Sequence, residues 1–408
     1  MNKFQSIRVK KYNTNNVNTS KIILKRILLY IVIIPYLYPR GFSECFQGYK
    51  KFFTAWMYLS VCMGFIYILL CFFKNKIKFQ KILVFILIYY AICILITIYN
   101  LNGLGSGLQK MFAAPILCLF YVIWIQQDSY SILTVTSNIM IIEFLLDLIV
   151  FNPSKMMQIT GIFHLNFLGH VQVYSEYGLI ALYIAYILFV RFKKNKVKPI
   201  LLSVLSVLCM INSETDASKI CLIIIIIILF LSMFKGIKKL FLLDSKIYVI
   251  VLTMISVIIV FLKIQYVFLN TDLGVDLTFS GRTFIWNNAL ELISSNTILG
   301  YGIQGAHITT FWGGNMNYAH NQFLQNLLDG GIVLCISFYA MILTYVSEIK
   351  KIKKDNVIFF SNVILICYMF LMIFESVSEY FYIIIFLSIV VCIGKIFNYD
   401  EKCKILNS

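Results

Sequence analysis

Apolar runs of near-bilayer length follow one another along almost the whole chain, separated by short polar stretches. A helix needs about 20 mostly apolar residues to cross the hydrocarbon core. Runs near 24–38, 53–73, 81–99, 111–126, 132–150, 172–191, 198–212, 219–235, 246–264, 323–345, 357–373 and 380–397 approach or meet that length. They predict an all-α integral membrane protein of about twelve transmembrane helices. No internal repeat is visible, which disfavours transporter folds built from duplicated halves.

The polar stretches alternate in character. One set is basic: Lys74, Lys76 and Lys78, then Arg191 to Lys198, Lys235 to Lys246, Lys350 to Lys354, and Lys402 with Lys404. The other set, Phe151–Val171, Ile211–Ser218, Gln265–Asn321 and Glu375–Glu379, has few cations and holds all four histidines. Because cytoplasmic loops collect Lys and Arg, this alternation puts both termini in the cytoplasm. Arg40, Lys50 and Lys51, in the first outer loop, are the exception. The expected organisation is a cytoplasmic tail 1–23, nine spans over 24–264, an extracytoplasmic loop 265–322, three spans over 323–397, and a cytoplasmic tail 398–408. The long loop is not featureless. Ile285, Ala289 and Leu292 form a helical stripe flanked by Trp286, Leu290 and Ile293, so 284–294 predicts an amphipathic helix lying on the membrane or packing across the bundle.

Composition sharpens this picture. The chain is 60% hydrophobic and 13% charged, against about a quarter charged in soluble domains. Its net charge of +17 resides in loop clusters between apolar runs, which favours a bilayer partner over nucleic acid. The 11 cysteines form no CxxC pair and lie mostly in apolar runs, as packing residues do. The polar, basic lead Met1–Ser20 precedes an apolar run without a small-residue cleavage site, which reads as a tail rather than a signal peptide.

Candidate chemistry lies in the outer loops. In FSGRTFIWN, Phe279 to Asn287, Ser280 or Thr283 is placed to cap a helix and Gly281 to let the backbone turn. Arg282 would then oppose the helix dipole, unless an anion sits between it and the free N–H groups; snorkelling to lipid phosphate is the alternative. LGYGIQGAH, Leu299 to His307, signals a turn, with His307 a polar loop residue. In AHNQFLQ, Ala319 to Gln325, His320 stands at a helix N-terminus, where the dipole favours the neutral ring that a general base requires. Asn321 is placed to cap that helix or to orient a sugar. NSETDASK, Asn212 to Lys219, offers Lys219 either as a phosphate-binding cation or as an ion-pair partner of Glu214 or Asp216. Glu375 and Glu379, at a span edge in FESVSEY, are functional candidates or solvated loop acids.

The order of these motifs, a turn ending in Ser–Lys, two spans, then S-G-R-T-x-I-W, L-G-x-G and A-H-N-x-x-L-Q before another span, resembles the O-antigen polymerase and ligase superfamily over Asn212 to Gly331. The resemblance implies a GT-C type glycosyltransferase that takes an undecaprenyl-diphosphate-linked oligosaccharide on the outer face of the cytoplasmic membrane, inverts the anomeric centre and uses no metal or other cofactor. It implies His320 as the base that deprotonates the acceptor hydroxyl and Arg282 as the cation that meets the pyrophosphate. Lys219 stands where relatives usually carry arginine, and a lysine cannot fork onto two oxygens. Asn166 and Gly161, in the Thr160–His170 segment, match the family's outer stretch, but the arginine often found there is missing. That leaves the clamp one cation short unless His164 or His170 contributes. Gly281, Asn321, Gln325 and Glu375 complete the expected substrate-binding set.

Within that resemblance the leading expectation is a repeat-unit polymerase for capsule, exopolysaccharide or O-antigen, with a flippase and a chain-length regulator as candidate partners. A ligase is the nearest alternative. The Ile-, Lys-, Asn- and Phe-rich composition hints at an AT-rich bacterial genome, and a cell without lipid A would favour polymerase. A flippase or other transporter is the reading from another class. It requires ionisable residues deep in spans, and Glu143 and Asp147 are the main candidates.

Overall fold

The computed structural model describes residues 23–74, 80–101, 106–160, 165–192, 196–262, 277–310 and 314–405. Helix α1 covers 23–37, followed by α2 (Arg40–Cys45), α3 (Gln47–Phe73), α4 (Val84–Asn100), α5 (Ser106–Leu145) and α6 (Pro153–Thr160). A two-residue hairpin, β1 (Leu165–Asn166) with β2 (Gly169–His170), leads into α7 (Val173–Arg191), α8 (Val197–Asn212), α9 (Asp216–Leu231), α10 (Lys235–Leu240) and α11 (Ser245–Phe261). Next come α12 (Leu277–Ser295), a second small hairpin of β3 (Ile308–Thr309) and β4 (Asn315–Met316), α13 (Gln322–Val346), α14 (Asp355–Phe374) and α15 (Tyr382–Ile405). The expected Gly161 and His164 fall outside the described residues.

The helices form one bundle around α7 and α15, whose apolar side chains are buried almost all round, among them Tyr177, Tyr183, Ile385 and Phe386. On α3 and α9, by contrast, Phe65, Ile66, Leu70, Ile223, Ile226 and Phe230 turn outward. An exposed apolar band of this extent has no place in water and fits an acyl-chain environment. Among the described residues, six helices are long and apolar enough to cross a membrane, and the apolar helices Val197–Asn212, Ser245–Phe261 and Tyr382–Phe397 are shorter.

Several of the expected runs take a local form that their length alone does not show. The runs 111–126 and 132–150 lie in one helical stretch, made of α5 and the π-helical turn Leu146–Val150 that continues it, interrupted at Asp128 (φ −154°, ψ 83°). The Asp128 carboxylate accepts from the Ser131 backbone N–H at 3.0 Å and from its hydroxyl at 2.6 Å, an N-cap that starts the second half. Other runs form helices such as α9, 16 residues long.

The segment between α11 and α13 builds a second apolar core. Ile285, Trp286, Ala289 and Ile293 of α12 bury against Leu324, Leu327 and Leu328 of α13. The amphipathic stripe therefore packs on the bundle. Its start differs from expectation: the helix already includes Leu277, so Ser280 and Gly281 are helical and Arg282 lies past the first turn. Gly281 makes no turn here, and the opposition between Arg282 and the dipole weakens, because that effect fades beyond the first turn.

Helix α13 breaks at Gly330 (φ −156°) and Gly331 (φ 61°). The break frees the carbonyls of Leu328 and Asp329, which accept from the N–H groups of Tyr301 (2.7 Å) and Gly302 (3.0 Å). A β-carbon on Gly300 would lie 2.5 Å from the Leu328 oxygen, and one on Gly331 2.1 Å from the Ile298 oxygen. The L-G-x-G motif thus does more than turn the chain: it caps a broken helix.

Candidate functional site

The site is assembled at the mouth of α13. Ala319 is fixed from two sides: its carbonyl accepts from Trp286 Nε1 at 3.0 Å, and its N–H donates to Gln325 Oε1 at 2.8 Å. The next residue, His320, is forced to φ 49°. This left-handed conformation costs a non-glycine residue on the order of 1 kcal/mol, although His tolerates it better than most. Strain of this kind persists only where the surroundings hold it, and such positions cluster at functional sites. Asn321 then caps α13, its Oδ1 accepting from the Leu324 N–H at 3.0 Å.

Glu375, at the end of α14, joins the two sequence-predicted catalytic residues. One carboxylate oxygen accepts from Arg282 Nη2 at 2.7 Å; the other lies 3.1 Å from His320 Nδ1. The three side chains are 20%, 10% and 7% exposed for Arg282, His320 and Glu375, so the contacts operate with little water between them and are stronger for it. Two further features constrain the imidazole. Gln172 Nε2 lies 3.3 Å from the same Nδ1, and the Tyr318 ring meets the imidazole edge-on, 4.5 Å between centroids. Nδ1 serves one partner at a time: where Nδ1–H donates to Glu375, the Gln172 amide nitrogen only packs beside it, and the neutral tautomer leaves Nε2 as an unprotonated acceptor, the form in which imidazole removes a proton. Arg282 retains unused capacity: its Nε is buried without a hydrogen-bond partner among the described residues.

Several expected contributors stand elsewhere. Asn321 and Gln325 were expected to touch substrate, but both are fully buried and committed within the protein. Asn321 Nδ2 donates to Ser256 Oγ at 3.0 Å and to the Ile373 carbonyl at 2.8 Å, and Gln325 Nε2 donates to Asp329 Oδ1 at 2.9 Å. They brace the site. Glu375 likewise holds Arg282 and His320 rather than presenting a bare carboxylate to a ligand. Lys219, half-exposed in the first turn of α9, has Asp216 as its ion partner at 3.8 Å. It also lines one end of an apolar groove of about 610 Å³ between α7, α8 and α9. Asn166, on β1, is buried, and its Nδ2 has no partner among the described residues. His170 sits on β2, and His307 is exposed, with Nδ1 3.1 Å from Asn317 Oδ1.

Sequence reasoning missed Gln172 and the bracing role of Trp286. Gln172 lies two residues beyond the motif segment that ends at His170, and nothing local marks it. Trp286 belonged to the apolar stripe, which concealed the purpose of its N–H.

No curated protein matches the chain. Residues 201–339 match the family Wzy_C, described as O-Antigen ligase. The matched stretch contains Arg282, His320 and the glycine-capped break of α13, while Glu375 and Gln172 lie outside it. That match, on top of the motif order, identifies residues 201–339 as a domain of the O-antigen polymerase and ligase superfamily.

Proposed function

We propose that the protein is a GT-C type polysaccharide polymerase. It joins undecaprenyl-diphosphate-linked oligosaccharide units on the outer face of the cytoplasmic membrane, using a donor delivered by a flippase. The observation that carries this reading is Glu375, which bridges Arg282 and His320. A donor diphosphate and an acceptor hydroxyl must meet at one point, and a guanidinium and an imidazole stand here on opposite oxygens of one carboxylate.

His320 Nε2 takes the proton of the acceptor hydroxyl while that oxygen attacks the anomeric carbon from the face opposite the leaving group. The new C–O bond forms as the bond to the diphosphate oxygen breaks, and the anomeric centre inverts. Glu375 holds the tautomer and stabilises the imidazolium that forms, as an orienting carboxylate does in a catalytic triad. Arg282 meets the charge growing on the leaving diphosphate, its buried Nε being the donor still open to a phosphate oxygen. The apolar groove beside Lys219 suits the polyprenyl tail. Its wall helix α9 packs on α14 through Cys367 and the Cys221 carbonyl, two helical turns, or about 12 Å of rise, from Glu375.

His320→Ala tests the reading. The variant is expected to fold, to make no polymer and to accumulate single repeat units on the lipid carrier. Polymer of normal length would remove His320 from the chemistry. The family description favours a second reading, a ligase that passes the finished glycan to another acceptor. The two separate in a purified assay with lipid-linked units alone: a polymerase lengthens them, whereas a ligase leaves them unchanged until a different acceptor is added.

A further inference from the structure

We infer that Gln172 is a positioning residue that contests Nδ1 of His320 with Glu375. It holds the imidazole in the tautomer that cannot act as a base until a diphosphate on Arg282 tips the contest to Glu375. The inference rests on the donor reading above.

The contest follows from the number of bonds one ring nitrogen can make. Nδ1 has a single in-plane position: it carries a hydrogen and donates, or a lone pair and accepts. Ionised Glu375, with Oε2 at 3.1 Å, can only accept. Gln172 Nε2, at 3.3 Å, can only donate. The two contacts therefore belong to different tautomers. With Nδ1–H on Glu375, Nε2 is open to take a proton. With the Gln172 N–H on Nδ1, the hydrogen stands on Nε2 and the ring has no acceptor to offer a hydroxyl.

Charge decides which partner wins. A hydrogen bond to an ionised group is roughly twice as strong as one between neutral groups, so a bare carboxylate would prevail over an amide. Glu375 is not bare, because its other oxygen accepts from Arg282 Nη2 at 2.7 Å. That cation draws carboxylate charge away from the imidazole and brings the two partners toward balance. A diphosphate on Arg282 shares the guanidinium, returns charge to Glu375, and Nδ1–H follows. Base competence is thereby coupled to the donor, so the acceptor hydroxyl loses its proton only where there is an anomeric carbon to attack. The exchange is balanced: water takes one proton from Nε2 and supplies one to Nδ1, at a side chain that keeps 10% exposure.

The fold holds Gln172 in place for this contact. It caps α7, and its carbonyl accepts from Ser175 Oγ at 2.7 Å. The next two residues, Val173 and Tyr174, are buried, and the Tyr174 phenol bonds Asp147. The amide thus reaches His320 from α7 while the carboxylate reaches it from the end of α14. The Tyr318 ring, 4.5 Å from the imidazole between centroids, restrains the ring, so the contest turns on where the proton sits.

The test uses full-length protein with nitrogen-15 histidine in lipid nanodiscs, at a pH where the ring is neutral. Ring nitrogen shifts separate protonated from unprotonated nitrogens, and His320→Asn identifies the signal among the four histidines. Ligand-free wild type is expected to populate the Nε2–H tautomer. Undecaprenyl diphosphate, but not undecaprenol, should shift the ratio toward Nδ1–H by on the order of tenfold. Gln172→Met, which keeps length and lacks the donor, should show Nδ1–H before any ligand is added. It should also bind undecaprenyl diphosphate more tightly than wild type, since affinity is reduced by the fraction of protein in the competent state. Loss of a merely structural contact would weaken that binding or leave it unchanged. Gln172→Glu, which can only accept, should give the same tautomer and serves if the methionine variant does not fold. A wild type that is Nδ1–H throughout, as it would be if the amide presented its oxygen, overturns the switch. So does an Nε2–H tautomer that persists in the variants, or a lowered melting temperature with an unchanged tautomer ratio. If diphosphate and undecaprenol bind equally, the donor reading falls, and the ligand-free ratios still decide whether Gln172 holds the ring.

Discussion

Glu375 on one side, and Glu143 with Asp147 on the other, are all buried carboxylates in the bundle, but their partners differ. Glu375 meets a guanidinium and an imidazole. Glu143 meets the phenol of Tyr177 and Asp147 the phenol of Tyr174, neutral donors from the first two turns of α7. A phenol satisfies a carboxyl oxygen and locks two helices together without supplying charge. A guanidinium and an imidazole on one carboxylate would let charge and protons redistribute if a ligand bound there. The contrast bears on the transport reading, which requires a series of ionisable groups along a route through the bilayer. Glu143 of α5 and Asp147 of the π-helical turn Leu146–Val150 instead each bond a phenol of α7, and the carboxylate with two ionisable partners lies at the end of α14.

The comparison breaks most directly at Glu375. Glu375→Gln keeps the shape, but its amide can donate to His320 Nδ1 and so select the tautomer with Nε2 protonated, which cannot accept a proton. Polymer synthesis should fall by on the order of 10²- to 10⁴-fold, the range seen for general bases and their orienting carboxylates. Unfolding should ease modestly, because Arg282 keeps a polar neighbour in place of a charged one. Chain lengths from lipid-linked donor in purified protein check the prediction. Activity within a few-fold of wild type would mean that Glu375 does not control the imidazole.

Arg282→Lys sharpens the same side of the comparison at a smaller expected effect. Lysine preserves charge but not the fork, so it cannot hold Glu375 and a phosphate oxygen at once. Loss of one preorganised donor costs on the order of 10²- to 10³-fold in turnover. The expected result is that loss in kcat with donor still bound, measured by initial rates over a donor series. A near-silent substitution would show that only charge matters at this position.

The sequence carried the site only in part, and the reason is distance along the chain. The stripe of Ile285, Trp286, Ala289 and Ile293 is legible because helical period is local, and α12 buries that face. The start of α12 was not, because Ser280, Gly281 and Thr283 imitate a cap while Leu277 to Phe279 continue the helix upstream. His320 and Arg282 stand out by motif, yet Glu375 is 93 residues from Arg282 and 55 from His320. Nothing short-range shows that one carboxylate joins them. The break at Gly330 and Gly331 was hidden for the same reason: its capping partners, Tyr301 and Gly302, lie about a loop and a hairpin earlier, in a motif that by itself indicates only a turn. Asp128 conceals a helix boundary inside a continuous helical stretch because its effect comes through a cap on Ser131 rather than a proline or glycine.

The smallest expected effect is on the other side of the comparison. Glu143→Gln and Asp147→Asn keep the size of each side chain and leave an acceptor oxygen for Tyr177 and Tyr174. If the two acids only join α5 and the turn that follows it to α7, the double variant should retain polymer synthesis within a few-fold of wild type. Its stability should change by about 1 kcal/mol per altered hydrogen bond, read as denaturant or thermal unfolding in detergent. Truncation to alanine should cost more, since a phenol left buried without a partner carries a desolvation penalty of about 1–3 kcal/mol. The discriminating result is activity of the isosteric pair. If it abolished synthesis while the protein stayed folded, or if proteoliposomes showed a proton flux lost in the same variant, the acids would form a working route through the bundle, and the division between packing carboxylates and a responsive one would fall.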